Sequence, residues 1–120
     1  MAEMRAGIYC RVASEDDLAM DLQEQALREY AVRNHYRNLR FYRDNGYSGL
    51  RFDGRSGFEK LCEDIRAGEI GTVIVKDLAR IGRGYALVKP WLDELAQQGV
   101  NLVVMDQPDI PFPATKCSLP

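Results

Sequence analysis

The 120-residue sequence predicts a single three-layer α/β domain with a largely parallel sheet. Three observations lead there. Short apolar runs alternate with segments whose apolar residues recur at helical spacing, several of those segments end at a glycine, and the chain is long enough to bury one core but not two.

The first run, Gly7-Ile8-Tyr9-Cys10-Arg11-Val12, opens the sheet as a buried strand and emerges into Ala13, Ser14, Glu15, Asp16 and Asp17. Ligand sites of such sheets lie at the carboxyl ends of the strands, which makes 11–17 the stretch where chemistry is expected. Leu18, Leu22, Ala26, Tyr30 and Ala31 then follow a helical period, with Ser14 or Asp16 available as cap, and predict a helix from about Asp17 to Asn34. Leu39, Phe41 and Tyr42 predict a second strand, stopped by Asp44-Asn45-Gly46. The Gly- and Ser-rich stretch from Tyr47 to Gly57, carrying Arg51 and Arg55, reads as a mobile loop.

Phe58, Leu61, Cys62 and Ile65 stand at i, i+3, i+4 and i+7 and predict a second helix ended by Gly68. Thr72-Val73-Ile74-Val75 is the clearest strand and runs into Lys76-Asp77-Leu78-Ala79-Arg80-Ile81-Gly82-Arg83-Gly84. Leu87, Val88, Trp91, Leu92 and Leu95 predict a third helix closed by Gly99, which Pro90 either starts or kinks, with Tyr85 and Trp91 on its core face. Asn101 to Met105 is a further buried strand. Residues 107–120 hold four of the five prolines and no apolar period, so the domain is expected to span 1–106 and an irregular tail 107–120.

Composition is that of a soluble globular chain, 46% hydrophobic and 28% charged. A net charge of −2 lacks the basic excess of a chain that holds nucleic acid by itself. Charge is nevertheless sorted, with carboxylates from Glu15 to Asp21 and a basic run of Lys76, Arg80, Arg83 and Lys89. Cys10, Cys62 and Cys117 are odd in number and lack metal-ligand spacing, so reduced thiols are expected, two of them buried, and no metal or other cofactor. No apolar stretch is long enough to cross a bilayer and the amino terminus has no signal-peptide core, which predicts a cytoplasmic protein. His35, the single histidine, reads as a cap near a helix end or a solvated residue.

Three arginines, Arg11, Arg80 and Arg83, leave or follow strand ends of one sheet and could converge on a single anion. A guanidinium offers a planar fork of donors and stays charged at any relevant pH, which suits a phosphate and the extra negative charge of a phosphoryl-transfer transition state. Pairing with Glu15, Asp16 or Asp77, or simple hydration, is the plainer reading of the same residues.

Tyr9 to Asp17, Asp21-Leu22-Gln23-Glu24-Gln25, Asp44 to Gly49, Asp53 to Phe58 and Val75 to Arg83 resemble, in order and spacing, the catalytic domain of serine recombinases, the resolvase and invertase family. The likeness covers roughly residues 5–106. It implies a resolvase-like sheet of about five strands with helices on both faces, DNA as partner, a dimer or tetramer as the assembled form, and metal-free cutting and rejoining of DNA through a phosphoserine link. By the resemblance, Arg11, Arg80 and Arg83 match phosphate-binding arginines, and Gln25, Asp44, Ser48 and Arg55 match supporting positions. The nucleophile's position is Ala13, whose methyl group cannot attack phosphorus. Ser14 could substitute only where the strand has already turned, because neighbouring strand residues face opposite ways. Ala79 and Gly84 also depart from the family's polar residues. Impaired strand cleavage is therefore expected, and a non-catalytic recombinase-like partner is the alternative. A signalling receiver domain, with Glu15, Asp16 and Asp17 on a cation and Asp77 as phosphoacceptor, is a third reading.

Overall fold

A computed structural model describes residues 5–12, 16–46, 56–81 and 85–106. Four parallel strands form one sheet: β1 (Arg5–Val12), β2 (Leu39–Asn45), β3 (Ile70–Val75) and β4 (Asn101–Val104), in the order β2-β1-β3-β4. The connecting helices are α1 (Asp17–Arg33), α2 (Ser56–Arg66) and α3 (Tyr85–Gln98), with a short 3-10 turn, Leu78–Arg80, after β3. The sheet has four strands among the described residues where about five were expected, since only four β-branched or aromatic apolar runs occur in them.

Strand alternation sorts β1 between two cores. Ala6, Ile8 and Cys10 join Met20, Leu27 and Ala31 of α1 on one face, whereas Tyr9 joins Tyr42, Phe58, Leu61, Trp91 and Leu95 beneath α2 and α3 on the other. Two close approaches set the height of α2. A Cβ on Gly7 would stand 3.1 Å from Leu61 Cδ1, and one on Gly57 only 2.5 Å from the Arg43 carbonyl oxygen. Glycine at 57 lets the first turn of α2 lie directly on the β2 backbone.

All three helices end alike. The chain reverses through a residue of positive φ, His35 (68°), Gly68 (79°) or Gly99 (72°), and the following amide bonds back to the helix: Tyr36 to Ala31, Glu69 to Asp64, Val100 to Leu95. His35 is thus the left-handed residue after α1, exposed to solvent, close to the expected capping position.

Two expectations are corrected. Of the stripe Leu18, Leu22, Ala26, Tyr30 and Ala31, only Ala31 is buried and Tyr30 packs against the core; Leu18 and Leu22 are 69% and 58% exposed, and the buried face of α1 is Met20, Gln23, Leu27 and Ala31. Both stripes have helical spacing, and the polar Gln23 hid the buried one. β2 does not stop before Asp44 either; it continues through Asp44 and Asn45, because both stay in register with Arg11 and Val12 of β1. Pro90 lies inside α3 on its exposed side, past the first turn. The loop expected over 47–57 and the tail 107–120 lie outside the described residues, apart from Ser56 and Gly57, which begin α2.

Candidate functional site

The order β2-β1-β3-β4 means that the chain steps outward from β1 to β2 and then returns to the other side of β1 for β3. In open sheets of this kind the ligand crevice lies at that reversal, outside the carboxyl ends of β1 and β3. Arg11 near the end of β1 and Lys76 to Arg80 after β3 flank it.

Arg11 is 1% exposed, although charged side chains are seldom fully buried. Its surroundings explain why it can stay there. The β1–β3 ladder ends at the pair Ile8–Ile74, three residues short of Arg11. The Gln23 side chain replaces the strand: its Oε1 accepts from the Arg11 N–H and its Nε2 donates to the Arg11 carbonyl, both at 3.2 Å. The guanidinium is anchored too, with Nε donating to the Arg80 carbonyl at 2.8 Å.

That bond ties the two arginines across the crevice. The Arg80 amide donates to Asp77 Oδ1 at 3.2 Å, which caps the short turn carrying it. Asp77 Oδ1 stands 4.0 Å from Arg80 Nε, and this Nε–H is buried with no hydrogen-bond acceptor among the described residues. A buried donor left unpaired is costly, and it is the kind of group an anionic ligand would satisfy. Lys76, 2.9 Å from Asp106, links the ends of β3 and β4.

Asp44, 1% exposed, occupies the neighbouring strand end in register with Arg11. Its carboxylate accepts three hydrogen bonds, from the Tyr9 hydroxyl at 2.7 Å and from the Gly57 and Phe58 amides at 2.8 and 2.9 Å. The two amides belong to the first turn of α2, where a negative charge is favoured, so Asp44 caps that helix from another strand. Asn45 does the same service for α1, accepting from the Asp16 amide and donating to Asp17. Asp16 itself caps α1 through Ala19. The acidic cluster after β1 is engaged in helix starts at two of its three positions, and Asp77 in a turn; among the described residues no group of His, Cys, Asp or Glu could hold a metal ion.

Gln25 is not brought to this site. It is exposed on α1 and donates to Glu29 at 3.3 Å, while Gln23, two residues earlier, reaches Arg11. Adjacent glutamines in Gln23-Glu24-Gln25 differ by more than half a turn of helix, and periodicity could single out Gln23 only if its face were known to be buried. Ala13, Ser14, Ser48, Arg55 and Arg83 lie outside the described residues.

The thiol beside the site is inert. Burial, aided by the charge of Glu24, pushes Cys10 up to about 12, which leaves no thiolate at neutral pH. Cys62, half-buried on α2, is likewise in no disulfide among the described residues. Below the site, Asp64 accepts from the Tyr42 hydroxyl at 2.6 Å and from Arg40 Nη1 at 2.7 Å. Burial alone would raise its pKa, but these bonds and the charge of Lys60 hold it below the ordinary value. Burial, the bond to Asp64 and its charge push the Tyr42 phenol upward in turn.

Solved structures share this architecture. The N-terminal catalytic domain of TP901-1 integrase superposes with a TM-score of 0.82 at 21% identity, covering 92% of this chain and 84% of that one, which speaks to the fold. A resolvase family site-specific recombinase from Streptococcus pneumoniae gives 0.77 at 28% identity over 95% of this chain and 79% of that one. The C-terminal catalytic domain of ISC1926 TnpA, an IS607-like serine recombinase, gives 0.75 at 27% identity, covering 85% and 69%. A comparison with curated proteins finds no significant match. No helix among the described residues is long and apolar enough to cross a membrane. The family model of the resolvase N-terminal domain matches residues 6–119, nearly the whole chain, and the protein belongs to that family.

Proposed function

We propose that this domain binds the scissile phosphate of a DNA recombination site through Arg11, Arg80 and Arg83, and that Ala13 leaves it impaired in the cleavage step. The observation that carries the reading is the pairing of Arg11 with Arg80 near the carboxyl ends of β1 and β3, one arginine buried and anchored by Gln23, the other holding a buried Nε–H with no acceptor among the described residues. Two neighbouring guanidinium groups, Arg11 buried and Arg80 half-buried, would stabilise the added charge of a pentacoordinate phosphorus. Asp44 would act indirectly, by holding the start of α2 and the Tyr9 ring beside β1. Gln25, Ser48 and Arg55 enter the reading through motif position alone.

In the active form of such chemistry a serine oxygen bonds to phosphorus, the deoxyribose 3′ oxygen leaves with a proton, and the 5′ phosphate stays on the protein until a 3′ hydroxyl reverses the step. With a methyl group at 13 no such bond forms, and Ser14 would have to serve instead. Loss of the nucleophile beside retained arginines also favours a second reading, a non-catalytic partner that assembles with DNA or with intact recombinase subunits in a dimer or tetramer.

The test uses the parent and Ala13→Ser, each incubated with a suicide DNA substrate taken from the flanks of its own gene and run on a denaturing gel. A covalent adduct with Ala13→Ser alone is expected. Adducts with both forms would move the nucleophile to Ser14, and adducts with neither, at unimpaired DNA binding, would favour the non-catalytic partner. A cytoplasmic site of action follows from the same reading, since the substrate is chromosomal or plasmid DNA.

A further inference from the structure

The large hydrophobic side chains that stand exposed among the described residues all belong to one helix: Leu18, Leu22 and Val32 of α1, each more than half exposed. At about 100° per residue they fall within an arc of about 80°, opposite the buried face of Met20, Gln23, Leu27 and Ala31. Single exposed apolar residues are ordinary on a protein surface, whereas an exposed apolar stripe marks a place where something docks. With Gln25 and Glu29 these residues follow one another at spacings of 4, 3, 4 and 3, the period of a seam along which two helices pack. None of them takes part in the arginine site, which Gln23 reaches from the buried face of the same helix.

Two features of the stripe are nearly symmetric about Gln25. Leu18 and Val32 lie seven residues to either side of it, and the charges of α1 are sorted by it, Asp17, Asp21 and Glu24 before and Arg28 and Arg33 after. We propose that a second copy of this chain docks on this face, the two α1 helices packing antiparallel across a two-fold axis at Gln25. The charges select both the occupant and the direction. Asp21 and Arg28 share one flank of the seam, four residues before Gln25 and three after, so the two-fold brings each Asp21 to the partner's Arg28 while Leu18 meets the partner's Val32. Parallel packing would set Asp21 against Asp21 and Arg28 against Arg28, and a partner of one charge would suit only half of the helix.

The side chains are placed to make these contacts. Asp21 accepts from Arg43 through Oδ1 at 2.8 Å, and its carboxylate has a second oxygen for an incoming guanidinium. Arg28 is exposed and lies over the Phe41 ring, 4.3 Å from its centroid, on the outer surface of the sheet. Gln25 is exposed, and an amide carries donor and acceptor together, so it can pair with its own copy on the axis in place of its 3.3 Å bond to Glu29. Glu29, the carboxylate on the seam, stands four residues before Arg33, the spacing of an ion pair within one helix. One helix from each copy makes a small interface, so the pairing is expected to be weak and concentration-dependent.

The test is sedimentation equilibrium of the full chain over a concentration series, for the parent, for Asp21→Arg, for Arg28→Asp and for an equimolar mixture of the two variants. Far-UV circular dichroism verifies that each is folded, as expected for substitutions at exposed positions. The parent should dimerise reversibly, and each variant alone should do so more weakly by about tenfold or more, because like charges then face each other twice. The mixture should dimerise as the parent does, since a D21R chain and an R28D chain restore one pair in the native sense and the other reversed. Leu22→Ser should weaken dimerisation as well. A parent that stays monomeric throughout would overturn the proposal, as would single variants that dimerise like the parent, which would place the contact on another surface. A mixture no stronger than its components would overturn it equally, because the antiparallel register requires the rescue.

Discussion

Asp44 shows how one buried carboxylate can organise a sheet edge. It lies 35 residues from Tyr9 in sequence and 13 from Gly57, yet it satisfies the hydroxyl of one and the amide of the other, and the Phe58 amide besides. Asp44→Ala would strand three buried or half-buried donors, and an unpaired buried group costs about 1–3 kcal/mol. We expect a loss of about 3 kcal/mol, read as a lower urea midpoint at unchanged slope. Gln23 works at the same scale on the backbone of Arg11, with two hydrogen bonds that a strand would otherwise supply. Gln23→Leu keeps the apolar face of α1 filled but leaves the Arg11 amide and carbonyl unpaired. A loss of about 2 kcal/mol is expected, together with weaker retention of a DNA duplex in a gel shift performed where both forms are folded.

At the scale of elements, α2 is tied to β2 at both of its ends. Its start is capped by Asp44 and lies on the β2 backbone through Gly57, and its last turn is tied to β2 through Asp64, Tyr42 and Arg40. That last contact carries a pH dependence whose sign is determined. The Asp64 pKa is lower in the folded chain than its ordinary 3.8, so its contribution is fully present above about pH 4 and is lost as pH falls through the lower folded value. Asp64→Asn should therefore be less stable than the parent at neutral pH, and the gap should narrow on acidification below pH 4, as followed by urea titrations at several pH values. Helix α1 illustrates the opposite case. Its two apolar stripes are alike in spacing, and the one facing solvent retains Leu18, Leu22 and Val32 at more than half exposure.

At the scale of the whole molecule, the strand order places Arg11 and Arg80 on either side of the chain reversal, and this arrangement makes the Ala13→Ser adduct the decisive measurement of function. Much of the architecture is legible from residues alone. Thr72 to Val75 and Asn101 to Val104 are β-branched or apolar enough to be strands, Gly68 and Gly99 mark helix ends, and the five motifs from Tyr9 to Arg83 resemble the family to which the chain belongs. These are local properties, because periodicity, turn chemistry and motif spacing depend on near neighbours in the chain. The partners of the site residues are not local. Gln23 rather than Gln25 reaches Arg11, and Asp44 serves a helix rather than facing solvent. Neither choice could be made before the sheet order and the buried face of α1 were known, since a polar residue in a half-polar stripe has no periodic signature of its own. The sequence by itself determined which segments are strands and helices and which family they compose; the tertiary structure alone decided which polar groups meet, because those meetings depend on how elements far apart in the chain pack against one another.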